Sequence, residues 1–305
     1  MLERLAGNDA LKRELGTALR GGRLPHAILL VGEPGCGAGF AARCLAADYL
    51  YPQGGPHAEA VLKKEDAECL VLQGEGASGQ IPVKKVREAR EAIQRSALST
   101  DAAGRALFIY GAQNLNGSSA NAMLKIIEEP PEGVLFLLTA TSAATVLPTI
   151  RSRCAAYTIA PVPTADCAAR LRAERLPAKA ADELAFLFEG HIGTALKSWN
   201  DPTAKVALSM AKTLCGYAAQ GDTYRALTLL TKYERDREGF SALLWTLDQL
   251  CSAVLRRPAY GQEQCGGLTP EGAARTLNAA ARARKSLTGN GNLRLTVAVL
   301  AGELA

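Results

Sequence analysis

No apolar run in this chain reaches the roughly 20 residues needed to cross a bilayer. The first fifteen residues, MLERLAGNDALKREL, interleave acidic and basic side chains. They lack the apolar core of a secretory leader. A cytoplasmic chain with no membrane contact is therefore expected. The eight cysteines, Cys36, Cys44, Cys69, Cys154, Cys167, Cys215, Cys251 and Cys265, never fall as Cys-x-x-Cys. Scattered in this way they read as small buried apolar residues rather than a disulfide framework. A zinc site needs clustered ligands, and His57 with Cys69 is too little, so no metal is expected. Neither sign of charge dominates. A net charge of +5 and a pI near 8.8 leave contact with nucleic acid or an acidic partner open without requiring it.

What is present is an ordinary globular composition, 48% hydrophobic and 21% charged over 305 residues, enough for two or three domains. The most informative stretch is Ile28 to Gly39, ILLVGEPGCGAG. A short apolar run ends in a glycine-rich turn and a helical pattern follows, the layout of a phosphate-binding loop. Gly32 and Gly37 have the spacing of Gly-x-x-x-x-Gly-Lys-Ser/Thr, with Gly35 between them. Ala38 stands where lysine would neutralise the β- and γ-phosphates. Gly39 stands where a hydroxyl would hold Mg²⁺. The turn is kept and its chemistry is gone, so no bound nucleotide cofactor is expected.

Hydrophobic periodicity orders the rest. Residues 2–20 read as a helix stopped by Gly21-Gly22. Strands are expected at Ala27–Val31, Cys69–Gln73, Arg105–Tyr110 and Val134–Thr139. Helices between them are expected at Phe40–Leu50, Val83–Ser96 and Asn116–Glu128, the last ended by Pro130-Pro131. Tyr51–Glu65, with two prolines and two glycines, reads as irregular. Short apolar strands alternating with helices imply a parallel α/β sheet covered on both faces. The Val83–Ser96 helix carries Lys84, Lys85, Arg87, Arg90 and Arg95 on one side, a solvated face or a surface for DNA or a partner. From Pro163 onward the pattern is helical throughout.

In ATPases with this loop the strand corresponding to RALFIY ends in an acidic pair, one carboxylate for Mg²⁺ and one for the attacking water. Gly111 and Ala112 are read at those positions. Two losses in one site point to an abandoned ATPase. Further on come NAMLKIIEEPP (Asn121–Pro131), an apolar strand, LPTIRSRC (Leu147–Cys154) and NGNLRL (Asn290–Leu295). With the opening helix and LPHAILLVGEPGCG, these pieces in this order resemble the AAA+ clamp-loader subunits of bacterial DNA polymerase III over the full length.

The resemblance implies three parts. Residues 1–162 would be an AAA+ nucleotide-binding-like α/β domain with a degenerate loop. Residues 163–202 would be a small helical lid domain, and 203–305 an all-α collar for oligomerisation. It implies that Ser152, Arg153 and Cys154 form the family's S-R-C motif, whose arginine reaches the ATP site of a neighbouring subunit as a finger in trans. The ATP-binding family members carry an arginine in a Gly-x-x-Arg-like stretch of the second domain. Here that stretch is read as Gly193-Thr194-Ala195-Leu196, which holds no arginine. The four-cysteine zinc module of many members is absent from Tyr51–Leu70. The implied function is a subunit with no ATPase of its own, helping to load the sliding clamp onto primed DNA. Its implied partners are the gamma/tau ATPase subunits and a delta subunit in a hetero-pentamer. A weak ATPase, or an AAA+-like regulatory adaptor outside replication, are the other readings the residues leave open.

Overall fold

The computed structural model describes residues 1–76, 79–94, 99, 101–289 and 291–304. The chain forms two compact units, Met1–Leu176 with Glu189–Gly193, and Pro177–Phe188 with Thr194–Ala305.

The first unit is built on five parallel strands, β1 (Ala27–Val31), β2 (Cys69–Gln73), β3 (Arg105–Tyr110), β4 (Val134–Ala140) and β5 (Ala155–Thr158). Their order across the sheet is β2-β3-β4-β1-β5. Alternation along the strands sends one set of side chains to each face. Ile28, Leu30, Phe108, Leu135 and Leu137 pack under the helices α1 (Asp9–Arg20), α2 (Ala38–Leu50) and α3 (Pro56–Lys63). Ala27, Leu29, Ile109, Phe136 and Leu138 pack under α4 (Val83–Ile93) and α5 (Gly117–Glu128). The near-continuous apolar strands follow from burial on both faces. A short α6 (Pro148–Arg151) leads into β5, and α7 (Thr164–Ala173) follows it.

Three expectations change. The helix read over 2–20 is a short 3-10 turn, Leu2–Arg4, then α1. Gly7 and Asn8 break it, both with positive φ, because Asn8 bonds the backbone of Ala160 in both directions (2.9 and 3.1 Å). The stretch read as irregular holds α3, started by Pro56 at its first turn. There Asp66 accepts from Tyr51 Oη and the Glu68 N–H and faces His57 Nδ1, a polar knot that pattern alone does not reveal. The edge strand β5 was not anticipated, since AAYT alternates weakly. Arg95, Ser96 and Asn290, in the expected helix and in NGNLRL, lie outside the described residues.

In the second unit all regular structure among the described residues is helical. It comprises α8 (Ala178–Leu187), most of α9 (Ile192–Asn200), α10 (Pro202–Gln220), α11 (Thr223–Leu230), α12 (Arg237–Arg256), α13 (Pro258–Gln264), α14 (Pro270–Thr288) and α15 (Leu293–Glu303). Asp201, Asp222, Asp236, Thr269 and Asn292 cap five of these helices, each accepting a backbone N–H of the first turn. α12 is the central helix, with Leu243, Leu244, Leu247, Leu250 and Val254 fully buried. No helix among the described residues is long and apolar enough to cross a membrane.

Candidate functional site

Two places in the first unit bear on function. The first is the loop between β1 and α2. Gly32 leaves β1 with its N–H on the Ala140 carbonyl (3.0 Å). A β-carbon at Gly32 would lie 2.4 Å from Cys36 Sγ and 2.6 Å from the Ile159 carbonyl, so only glycine fits. Gly35 and Gly37 hold φ of 91° and 107°. Cys36 turns inward and burial pushes its thiol pKa up. Ala38 begins α2 and offers no cation.

Beside the loop, the residues at the end of β3 divide between the two faces of the sheet. Tyr110, the last residue of β3, points to the α2 face, its ring 3.4 Å from where a Gly39 β-carbon would stand. Gly111 follows with its N–H on Thr139 Oγ1 (3.2 Å). Ala112 belongs to the core on the other face of the sheet. Tyr110 therefore lies on the loop side of the sheet and Ala112 on the other. Tyr110 stacks on Phe108 and carries Lys64 Nζ over its ring at 5.2 Å. Burial raises its pKa, against the pull of Arg43.

A strap crosses the same loop. The Gly193 N–H donates to the Gly35 carbonyl (2.8 Å), and a β-carbon at Gly193 would press on Gly35 at 3.1 Å. His191 Nε2 lies 2.9 Å from Glu33 Oε2. Gly190, at φ 81°, lets the strap turn under Val162, whose carbonyl would be 1.7 Å from any β-carbon there. The strap and Tyr110 were missed in the sequence. A tyrosine closing an apolar strand directly before Gly111 is the one signal available.

The second place is Ser152-Arg153-Cys154, between α6 and β5. Arg153 Nε donates to Glu128 Oε1 (2.6 Å), and its NH2 nitrogen reaches the same oxygen at 2.5 Å. NH1 donates to the Thr149 carbonyl (3.0 Å) and to Ser152 Oγ (3.3 Å). The Arg153 side chain is 39% exposed. Ser152 Oγ also donates to the Thr149 carbonyl (3.1 Å). Cys154 tucks against the core, its pKa pushed up to about 11 by burial. The motif precedes β5, whereas the glycine loop follows β1. Ile28 pairs with Ala155 in a parallel register. The two places therefore lie at opposite ends of the sheet, separated by at least roughly 13 Å of strand. Arg153 cannot serve its own chain's loop.

Between α4 and α5 runs a groove of ≈ 380 Å³ lined by Arg87, Arg90, Lys125, Ser118 and Asn121. Lys84 and Lys85 pair instead with Glu88 and Glu75. His26, at 3.0 Å from the Ile127 carbonyl, is a structural contact. Among the described residues no three His, Cys, Asp or Glu side chains are grouped so as to hold a metal.

A parallel sheet in this order, with a glycine loop between β1 and α2 and helices on both faces, defines an α/β P-loop fold of the AAA+ clamp-loader type. Residues 7–163 match the family described as DNA polymerase III, delta subunit, and the chain belongs to that family. The Escherichia coli DNA polymerase III subunit delta' is 25% identical over 258 residues, which is 82% of this chain and 75% of that protein. The Mycobacterium tuberculosis subunit gamma/tau is 33% identical over 155 residues, or 49% of this chain. The chain spans only about a quarter (27%) of that gamma/tau relative. A solved Thermotoga maritima RuvB mutant (P216G) shares the fold, with a TM-score of 0.51 at 16% identity, covering 96% of this chain and 85% of that one.

Proposed function

We propose that this chain is a non-hydrolysing subunit of the bacterial DNA polymerase III clamp loader, and that it supplies Arg153 in trans to the ATP site of a neighbouring subunit. The observation that carries this is the separation of the two places along the sheet. An exposed arginine at the end opposite the glycine loop can meet only another molecule's phosphates, where a fixed positive charge stabilises the charge developing in phosphoryl transfer. The loop itself argues against hydrolysis. Ala38 provides no charge, Tyr110 covers residue 39, no carboxylate follows β3, and the Gly193 strap occupies a loop carbonyl.

In this reading the neighbours are gamma/tau ATPase subunits and a delta subunit in a five-membered ring that places the sliding clamp on primed DNA. Residues 1–162, 163–202 and 203–305 act as AAA+ module, lid and collar. The basic groove between α4 and α5 follows the DNA backbone through its phosphates, as lysine- and arginine-lined surfaces do. The outward side of α15 exposes Leu295 and Val299 (65% and 48%). An apolar helix face of this kind suits a collar contact with an adjacent subunit.

The test is the DNA- and clamp-stimulated ATPase of the loader reconstituted with this chain, wild type against Arg153→Ala, with the chain alone as control. The expected result is a silent chain alone and a severalfold fall in the assembled mutant with assembly intact. Turnover by the chain alone would overturn the non-hydrolysing reading. An unimpaired mutant would leave Arg153 a surface cation.

A further inference from the structure

Glu128 is the last residue of α5, held there by the stop at Pro130-Pro131. A carboxylate is disfavoured at this end of a helix, because the macrodipole is negative there. Helix stability does not explain its presence. Arg153 does: Glu128 Oε1 takes both Nε and NH2 of the guanidinium. Thr149 and Ser152 hold NH1 from the other side. Together these fix the plane of a group that is otherwise on a flexible stem. The second hydrogen of NH2 has no acceptor among the described residues.

We infer that Glu128 is a positioning residue for Arg153. Its carboxylate grips the Nε edge of the guanidinium and holds it in the orientation from which the remaining NH2 hydrogen meets a phosphate oxygen on a neighbouring subunit. Glu128 touches no substrate and acts only through the arginine. Both side chains are partly exposed, so the pair is weak and screened by salt. It orders the arginine without sequestering it, and a triphosphate can compete for the same guanidinium. Orienting a catalytic group in advance lowers the entropy lost on reaching the transition state, which appears in kcat rather than in the affinity for ATP.

This inference rests on the reading of Arg153 as a finger in trans. The experiment uses the reconstituted loader with ATP, primed DNA and clamp. It compares Glu128→Ala, Glu128→Gln, Arg153→Ala and the Glu128→Ala/Arg153→Ala double variant. Expected is a roughly 3–10-fold lower kcat for Glu128→Ala with KM for ATP unchanged, and a smaller loss for Glu128→Gln, which keeps an acceptor oxygen. The double variant should be no worse than Arg153→Ala alone, since Glu128 has no other route to the reaction. The Arg153 Nε–H signal in NMR of the free chain should shift in Glu128→Gln if the carboxylate holds it. If Arg153→Ala is impaired while Glu128→Ala is not, or if the two losses multiply, the positioning role is wrong and the finger stands. If Arg153→Ala is itself silent, the finger reading falls and this inference with it.

Discussion

Single residues carry the proposal about nucleotide chemistry. Ala38 and Gly39 stand where the phosphate-loop pattern has a lysine and a hydroxyl, and the pattern's fixed spacing makes both positions legible. Tyr110 was not: β3 ends where the pattern places it, but which of its last residues faces the loop is set by packing across the sheet. Restoring the two loop residues alone, as Ala38→Lys/Gly39→Thr, is expected to give no ATP binding by titration calorimetry. Tyr110 would still lie against residue 39, and no carboxylate would face the metal. Measurable affinity in that variant would show that the loop, not the tyrosine, is limiting. Arg153 was legible as part of a motif. Its partner Glu128 was not, because 25 residues separate them and only the meeting of the α5 end with the turn before β5 joins them.

At the scale of elements, apolar runs and breakers located four of the five strands, and tertiary contacts set where helices begin and end. The Gly7-Asn8 break in the first helix comes from Asn8 docking on Ala160, a contact across the chain that no local propensity encodes. The basic side of α4 was visible, but which of its charges are available was not. Glu75 and Glu88 take Lys85 and Lys84, leaving Arg87 and Arg90 beside Lys125 of α5. Arg87→Glu/Arg90→Glu is therefore expected to weaken DNA binding of the assembled loader at least tenfold, and to lower its salt dependence by about two phosphate contacts. Fluorescence anisotropy with primed DNA at two salt concentrations checks this. Unchanged affinity would return α4 to a plain solvated face.

At the scale of the molecule, burial of thiols makes the fold sensitive to alkali. Cys44 and Cys69 are pushed up to about 12, and Cys154 and Cys167 to about 11, from an ordinary value of 9.0, by removal from water. A pKa raised in the folded state means the unfolded chain loses its protons first as pH rises. This contribution to stability is whole below about pH 9 and is lost progressively toward pH 11–12. Thermal midpoints in reductant should therefore hold between pH 7 and 8.5 and fall above 9, by roughly 2–4 °C for each kcal/mol lost. A midpoint flat to pH 11 would mean these thiols are open to solvent.

The order of apolar strands and helices, a glycine loop without lysine or hydroxyl at 38 and 39, and the Ser152-Arg153-Cys154 motif follow from the sequence alone, because each depends on residues near one another in the chain. Burial on two faces forces continuous apolar strands, and a tight turn forces glycine. What only the tertiary structure decided are the relations between distant segments. These are Tyr110 against Gly39, the Gly190–Gly193 strap on the loop, Glu128 on Arg153, and the placing of loop and motif at opposite ends of the sheet. The reason is physical: strand register and helix ends are set by packing summed over the whole core, and no local pattern carries that sum.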